Sequence, residues 1–265
     1  MPSLHAHLRH LEPWYSEHLN PVHDVLYAGD LARGQAILDT ARRALAESGL
    51  SPDERLTLDY EIAVTEMTAL NRLGPPEEFP TVFGRTREFI QAHPPVGPLS
   101  DQAQALHLLR LLGAGYRRGF FSLEEDEVDA LLARLSPEAY TNNLWYYLTA
   151  WAFHTGKLRF LEQAFGEQVV QTTGYLDDYF WLRTNLMYLL TAGRATKNDV
   201  LETIHRYPHP MYLSDFPNIF FPRLEQLGLL DAEVEGALEQ RREELHDLDG
   251  QPPPQEPRTR RLLRN

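Results

Sequence analysis

Apolar residues recur at steps of three and four along most of the chain, and the clearest run carries Leu144, Trp145, Leu148, Trp151 and Ala152. Gly156 then supplies a helix-ending turn before a second amphipathic run, so the pattern predicts a helical hairpin over 142–171. Similar units flank it. Leu4, Leu8 and Leu11 predict an N-terminal capping helix within 1–20, interrupted at Pro13. From Pro21 a short helix, a turn at Gly29 and a second helix through Ala36, Ile37, Leu38, Ala41, Ala44 and Leu45 form the next hairpin. Ser51, Pro52 and Glu54 read as a capping box with proline in the first turn, opening a helix to Leu73 that Gly74 ends.

Further helices are predicted over 77–92, from a Ser100 cap to Arg118, from a Ser122–Glu125 capping box through Leu135, and from Ser136-Pro137-Glu138 onward. Beyond the central hairpin come 175–192, a Thr196–Asp199 start running to Tyr207, a looser helix over 214–227, and a last one capped by Asp231 and ending near 248. No sustained apolar–polar alternation marks a strand. The turn glycines 29, 74, 119, 156, 193 and 228 lie 45, 45, 37, 37 and 35 residues apart. That regularity predicts an all-α fold, an α-solenoid of about six stacked helical hairpins over 21–248. The HPPVGP segment near 93–99 is the best internal boundary, and the Pro/Arg-rich tail 249–265 is expected to be disordered.

The chain has 265 residues and no cysteine, which removes disulfides, thiolate metal sites and cysteine nucleophiles and agrees with a cytoplasmic setting. The start of the sequence lacks the apolar core of a signal peptide, and no apolar run reaches membrane-spanning length. A net charge of -13 argues against nucleic acid as a partner.

The hairpin from Asn142 resembles the tetratricopeptide repeat: Trp145, Leu148 and Gly156 match that family's spacing, while Thr149, Ala152, Leu161 and Phe165 depart from it. The turn at Gly29-Asp30 with Leu38 and Ala41 is similar to the family's second helix. The resemblance covers the helical body loosely and implies a degenerate, TPR-like solenoid whose first helices line a concave groove. It places Asn143, Tyr146, Tyr147 and His154 on that groove, joined by Glu61, Asn71 and Arg72, by Arg110, Tyr116 and Arg117, and by Phe180, Arg183 and Met187. The partner-binding set implied is Arg72, Arg110, Arg117, Asn143, Tyr146, Tyr147, His154, Phe180 and Arg183. Arginines gathered on one face suit an acidic peptide or a carboxylate through forked hydrogen bonds.

The consecutive aromatic triples Trp145-Tyr146-Tyr147 and Tyr179-Phe180-Trp181 cannot all point to one helix face, so some are expected to meet a groove or a partner. Metal-binding patterns are weak. His7 and His10 share a face without a third ligand, Pro208 separates His205 from His209, and Asp177-Asp178 is explained as a helix start. No phosphate loop, nucleophile elbow or HExxH occurs, and no cofactor is called for. The first expectation is a noncatalytic scaffold that binds a protein or peptide in the groove. The alternative is a ligand- or peptide-sensing module with a pocket in the aromatic-rich C-terminal half, and an all-α enzyme stands third.

Overall fold

The computed structural model describes residues 10–27, 29–136, 142–169 and 175–248. Among them the chain is helical, with no strand. In order run α1 (Glu12–His18), α2 (Asn20–Tyr27), α3 (Leu31–Ala46), α4 (Pro52–Leu73), α5 (Phe79–Ala92), α6 (Pro98–Gly115) and α7 (Glu125–Leu132). Then follow α8 (Asn142–Thr155), α9 (Leu158–Val169), α10 (Tyr175–Thr191), α11 (Lys197–Arg206), α12 (Pro210–Leu213), a π-helical turn (Phe216–Phe220), α13 (Phe221–Gln226) and α14 (Ala232–Glu244). The chain forms two compact units, residues 1–147 and 148–265.

Local sequence signals account for most helix ends. Ser51 Oγ accepts from Glu54 N while Ser51 N donates to Glu54 Oε2, and Thr196 with Asp199 repeats the arrangement. Asp231 accepts from Glu233 N and Val234 N. Gly29, Gly119, Gly156, Gly193 and Gly228 adopt the left-handed conformation expected of helix-ending turns. Gly74 does not; its φ is -80°.

Other expectations need correction. Pro13 lies in the first turn of α1, where its missing N–H is harmless, so it begins a helix instead of interrupting one. Ser100 is not the cap of α6 but sits one turn in, accepting from Val96 N and Gly97 N. α7 opens on a box between Glu124 and Glu127, two residues after Ser122. The 93–99 segment runs inside the first unit, and the division falls between Tyr147 and Leu148. Pro137 and Glu138 of the start proposed from Ser136, residues 1–9 of the capping helix and the tail 249–265 lie outside the described residues.

In the first unit α4 is buried on two faces. Leu58, Ile62 and Ala69 join Leu11, Tyr15, Leu19, Val22, Leu38 and Leu45 in one core, while Tyr60, Val64, Met67 and Leu70 join Phe79, Phe83, Ile90 and Leu111 in another. Contacts run from α3 to α4, α4 to α5 and α4 to α6. α6 is apolar almost all round, with Ala103, Ala105, Leu106, Leu109, Leu111 and Leu112 buried. Any charged side chain on α4 or α6 facing these neighbours must therefore be buried. In the second unit α10 packs on α9 and α11, and α14 packs on α11 and α12.

Candidate functional site

Three polar residues occupy such positions. Glu61 on α4 is 6% exposed, and His107 and Arg110, one turn apart on α6, are 0% and 7% exposed. A buried carboxylate and a buried guanidinium are tolerated when they meet each other. Here Arg110 NH1 lies 3.5 Å from Glu61 Oε2 and 3.3 Å from His107 Nδ1, and His107 Nε2 lies 3.1 Å from Glu61 Oε1. Because a guanidinium only donates, His107 Nδ1 is the acceptor and the imidazole proton sits on Nε2, towards Glu61. The direction of that approach falls short of a hydrogen bond. The Arg110 guanidinium carbon also stands 5.8 Å from the Tyr147 ring centroid.

Helices α1 and α2 bring two more polar groups under the influence of this pair. Burial raises the pKa of the Tyr15 phenol well above its ordinary value, and the Glu61 charge raises it further, so Tyr15 is a neutral donor. Burial is the main cause that lowers the pKa of His23 from 6.5 to about 4, and the Arg110 charge is a smaller one. Burial opposes the Arg110 charge, yet Glu61, Tyr147 and Tyr15 outweigh it and hold its pKa above normal.

The network is incomplete. Tyr15 Oη, His23 Nε2, His107 Nε2 and Arg110 Nε are all buried without a hydrogen-bond partner. Each of these atoms carries a desolvation cost that a polar partner would remove.

The second unit holds a contrasting cluster. Asp215 Oδ2 accepts from Tyr179 Oη at 2.6 Å and from Arg183 Nε at 3.1 Å, while Arg183 NH1 donates to Thr149 Oγ1 at 3.0 Å. Tyr179 stacks on Tyr212 with ring centroids 3.8 Å apart, and Tyr207 packs edge-on against Tyr179 and Phe216. The π-helical turn starts at Phe216, directly after Asp215. Tyr179, Arg183, Thr149 and Asp215 are thus connected among buried aromatic rings.

The residues expected on a groove differ in burial. Arg110, Phe180 and Arg183 are buried, so neither arginine lines an open surface; each is drawn inward by a carboxylate. Tyr146, Tyr147 and His154 are half-buried on α8, with the two tyrosine rings edge-on at 5.3 Å. Arg72 lies on α4, Arg117 in the 3-10 turn Tyr116–Arg118 and Asn143 on α8, and their side chains lie outside the described residues. In the aromatic triples Trp145, Tyr179 and Phe180 are core, while Trp181 is half-buried with Arg206 5.9 Å from its ring.

No protein-family model, curated protein or solved structure matches the chain. Among the described residues no helix is long and apolar enough to cross a membrane, and no three His, Asp or Glu side chains are placed to hold a metal ion. His10, read beside His5 and His7, hydrogen-bonds Glu54 instead.

Sequence reasoning missed Tyr15, His23, His107 and Asp215. A signal for one was available: ALHLLRLL places a histidine and an arginine one turn apart in an otherwise apolar run, a pattern of buried polarity.

Proposed function

We propose that the chain is a binding module that senses a small polar ligand at the Glu61–His107–Arg110 cluster, and that the helices of its first unit stack as TPR-like hairpins. The observation that carries the reading is the set of four buried polar atoms without partners, which a ligand would satisfy. The left-handed glycines between successive helices and the packing of α4 on α3, α5 and α6 support the stacked-hairpin arrangement. Glu61 is shared between Arg110 and His107, which suits an ionised anchor better than a proton-transferring acid. The reading moves the ligand from the aromatic-rich C-terminal half to the N-terminal unit, because Tyr179, Arg183, Thr149 and Asp215 already bond one another.

A thermal-shift screen of polar metabolites tests it, run on wild type and on Arg110→Met. Selective stabilisation of wild type by some compounds is expected. No stabilising compound, or equal stabilisation of both proteins, overturns the reading.

The groove-binding scaffold is the second reading, favoured by the half-buried Tyr146 and Tyr147 on α8. Its test is binding of an acidic peptide to wild type and to a Tyr146→Ala variant; equal binding removes it.

A further inference from the structure

We infer that α1 and α2 form a hinged lid over α3 and α4, one that lifts as a unit while the helices beneath it stay folded. What holds the lid down is almost wholly apolar. Leu11, Tyr15, Leu19, Val22 and Leu26 share one core with Leu38, Ala41 and Leu45 of α3 and with Leu58 and Ile62 of α4. Among the described residues a single side-chain bond, His10 Nε2 with Glu54 Oε1 at 2.5 Å, ties residues 10–27 to a later helix. His10 is exposed, so water competes with that bond and it adds little. Ser16 and Asn20 spend their side-chain bonds inside the hairpin, on Glu12 and on each other.

The closed hairpin also buries polar atoms at a loss. Trp14 Nε1, Tyr15 Oη, Asn20 Oδ1 and His23 Nε2 are buried without a hydrogen-bond partner, whereas no such atom is found among the described residues of α3 and α4. Each regains water when the hairpin lifts, so opening here recovers desolvation energy that opening α3 or α4 does not. A hinge is in place. α2 ends at Tyr27 and α3 begins at Leu31, and between them Gly29 has φ 76° with nothing within 4 Å of where a Cβ would stand. Glycine in open space changes its dihedral angles without meeting a neighbour. Tyr15 and His23 feel the Glu61 and Arg110 charges, so the departing lid also brings solvent towards that pair.

The chain has no cysteine, so one introduced thiol at a buried site reports opening at that site. Val22→Cys on α2 and Val64→Cys on α4 replace residues 0% and 1% exposed, and each full-length variant is labelled with a thiol reagent in low urea. After correction for the global stability of each variant, Val22→Cys should label at least about tenfold faster than Val64→Cys, with a shallower urea dependence. Equal rates with the same steep urea dependence overturn the inference. Adding Tyr15→Phe to Val22→Cys removes one orphaned hydroxyl and should slow labelling by about two- to tenfold; unchanged or faster labelling also overturns it. Amide hydrogen exchange of the wild-type chain needs no substitution: α1 and α2 should exchange together ahead of α3 and α4, and exchange in step with α4 overturns the lid. If no compound stabilises the wild type while Val22→Cys labels early, the binding reading falls and the lid stands; if compounds bind and Val22→Cys labels no earlier than Val64→Cys, the lid falls and the binding reading stands.

Discussion

Asp53, in the first turn of α4, caps a different helix from its own: Oδ1 accepts from Ser100 N at 2.8 Å and Oδ2 from Leu99 N at 3.1 Å, at the start of α6. Two otherwise orphaned N–H groups and the positive end of α6 are satisfied by one carboxylate, which ties the α4 and α6 starts together. A Cβ at Gly97 would lie 2.3 Å from Asp53 Oδ2, so the close approach depends on that glycine. Asp53→Ala should cost about 1–2 kcal/mol in urea denaturation. Gly97→Ala should cost stability in wild type and less in the Asp53→Ala background; purely additive losses would show that the two residues are not coupled.

Gly113 on α6 faces a tighter constraint, because a Cβ there would sit 2.4 Å from the Tyr147 carbonyl oxygen. Backbone cannot swing aside as a side-chain tip can, so Gly113→Ala should destabilise by about 1–3 kcal/mol. Gly236 on α14 has nothing within 4 Å of the same position, and Gly236→Ala should stabilise by about 0.5–1 kcal/mol through helix propensity. Denaturation midpoints shifting in opposite directions are the expected result.

These two glycines show where sequence stops being informative. The helical periodicity, the Ser51 and Thr196 boxes and the turn glycines are local signals, and they were legible because each depends on neighbours within a few residues. The partner of Asp53 lies more than forty residues away, and Gly113 is small because another helix passes it. The same separation hid the candidate site: Arg110 reads as a surface charge until Glu61 is seen facing it, and Arg183 until Asp215 is.

In the second unit Arg183 is 1% exposed and held by Asp215 and Thr149. Arg183→Met leaves the Asp215 carboxylate buried without its cation and should cost about 3–5 kcal/mol. Tyr179→Phe removes one hydrogen bond to the same oxygen and should cost about 1.5–3 kcal/mol. Chemical denaturation of both variants checks the order, and a larger loss from Tyr179→Phe would contradict it.

His23 predicts an acid sensitivity. Burial, with a smaller contribution from the Arg110 charge, lowers its pKa to about 4 in the folded chain, whereas an unfolded histidine titrates near 6.5. The folded state therefore binds fewer protons between these values, so this contribution to stability is complete above about pH 6.5 and is lost as the pH falls towards 4. Its size is about 3 kcal/mol at most, less the screening of a partly exposed ring. His23→Gln should lose less stability than wild type between neutral pH and about pH 4.5. Parallel losses, measured by denaturation at each pH, would remove His23 as the source.

The sharpest measurement is the stability of Tyr15→Phe without added ligand. A buried hydroxyl with no partner costs its desolvation energy, so its removal should leave the chain as stable as wild type or more stable by about 1 kcal/mol. Urea denaturation of the two proteins side by side gives the sign. A gain or no change is the result the ligand site predicts; a loss of about 1 kcal/mol or more would show that the Tyr15 hydroxyl is already bonded within the fold and would contradict the ligand site.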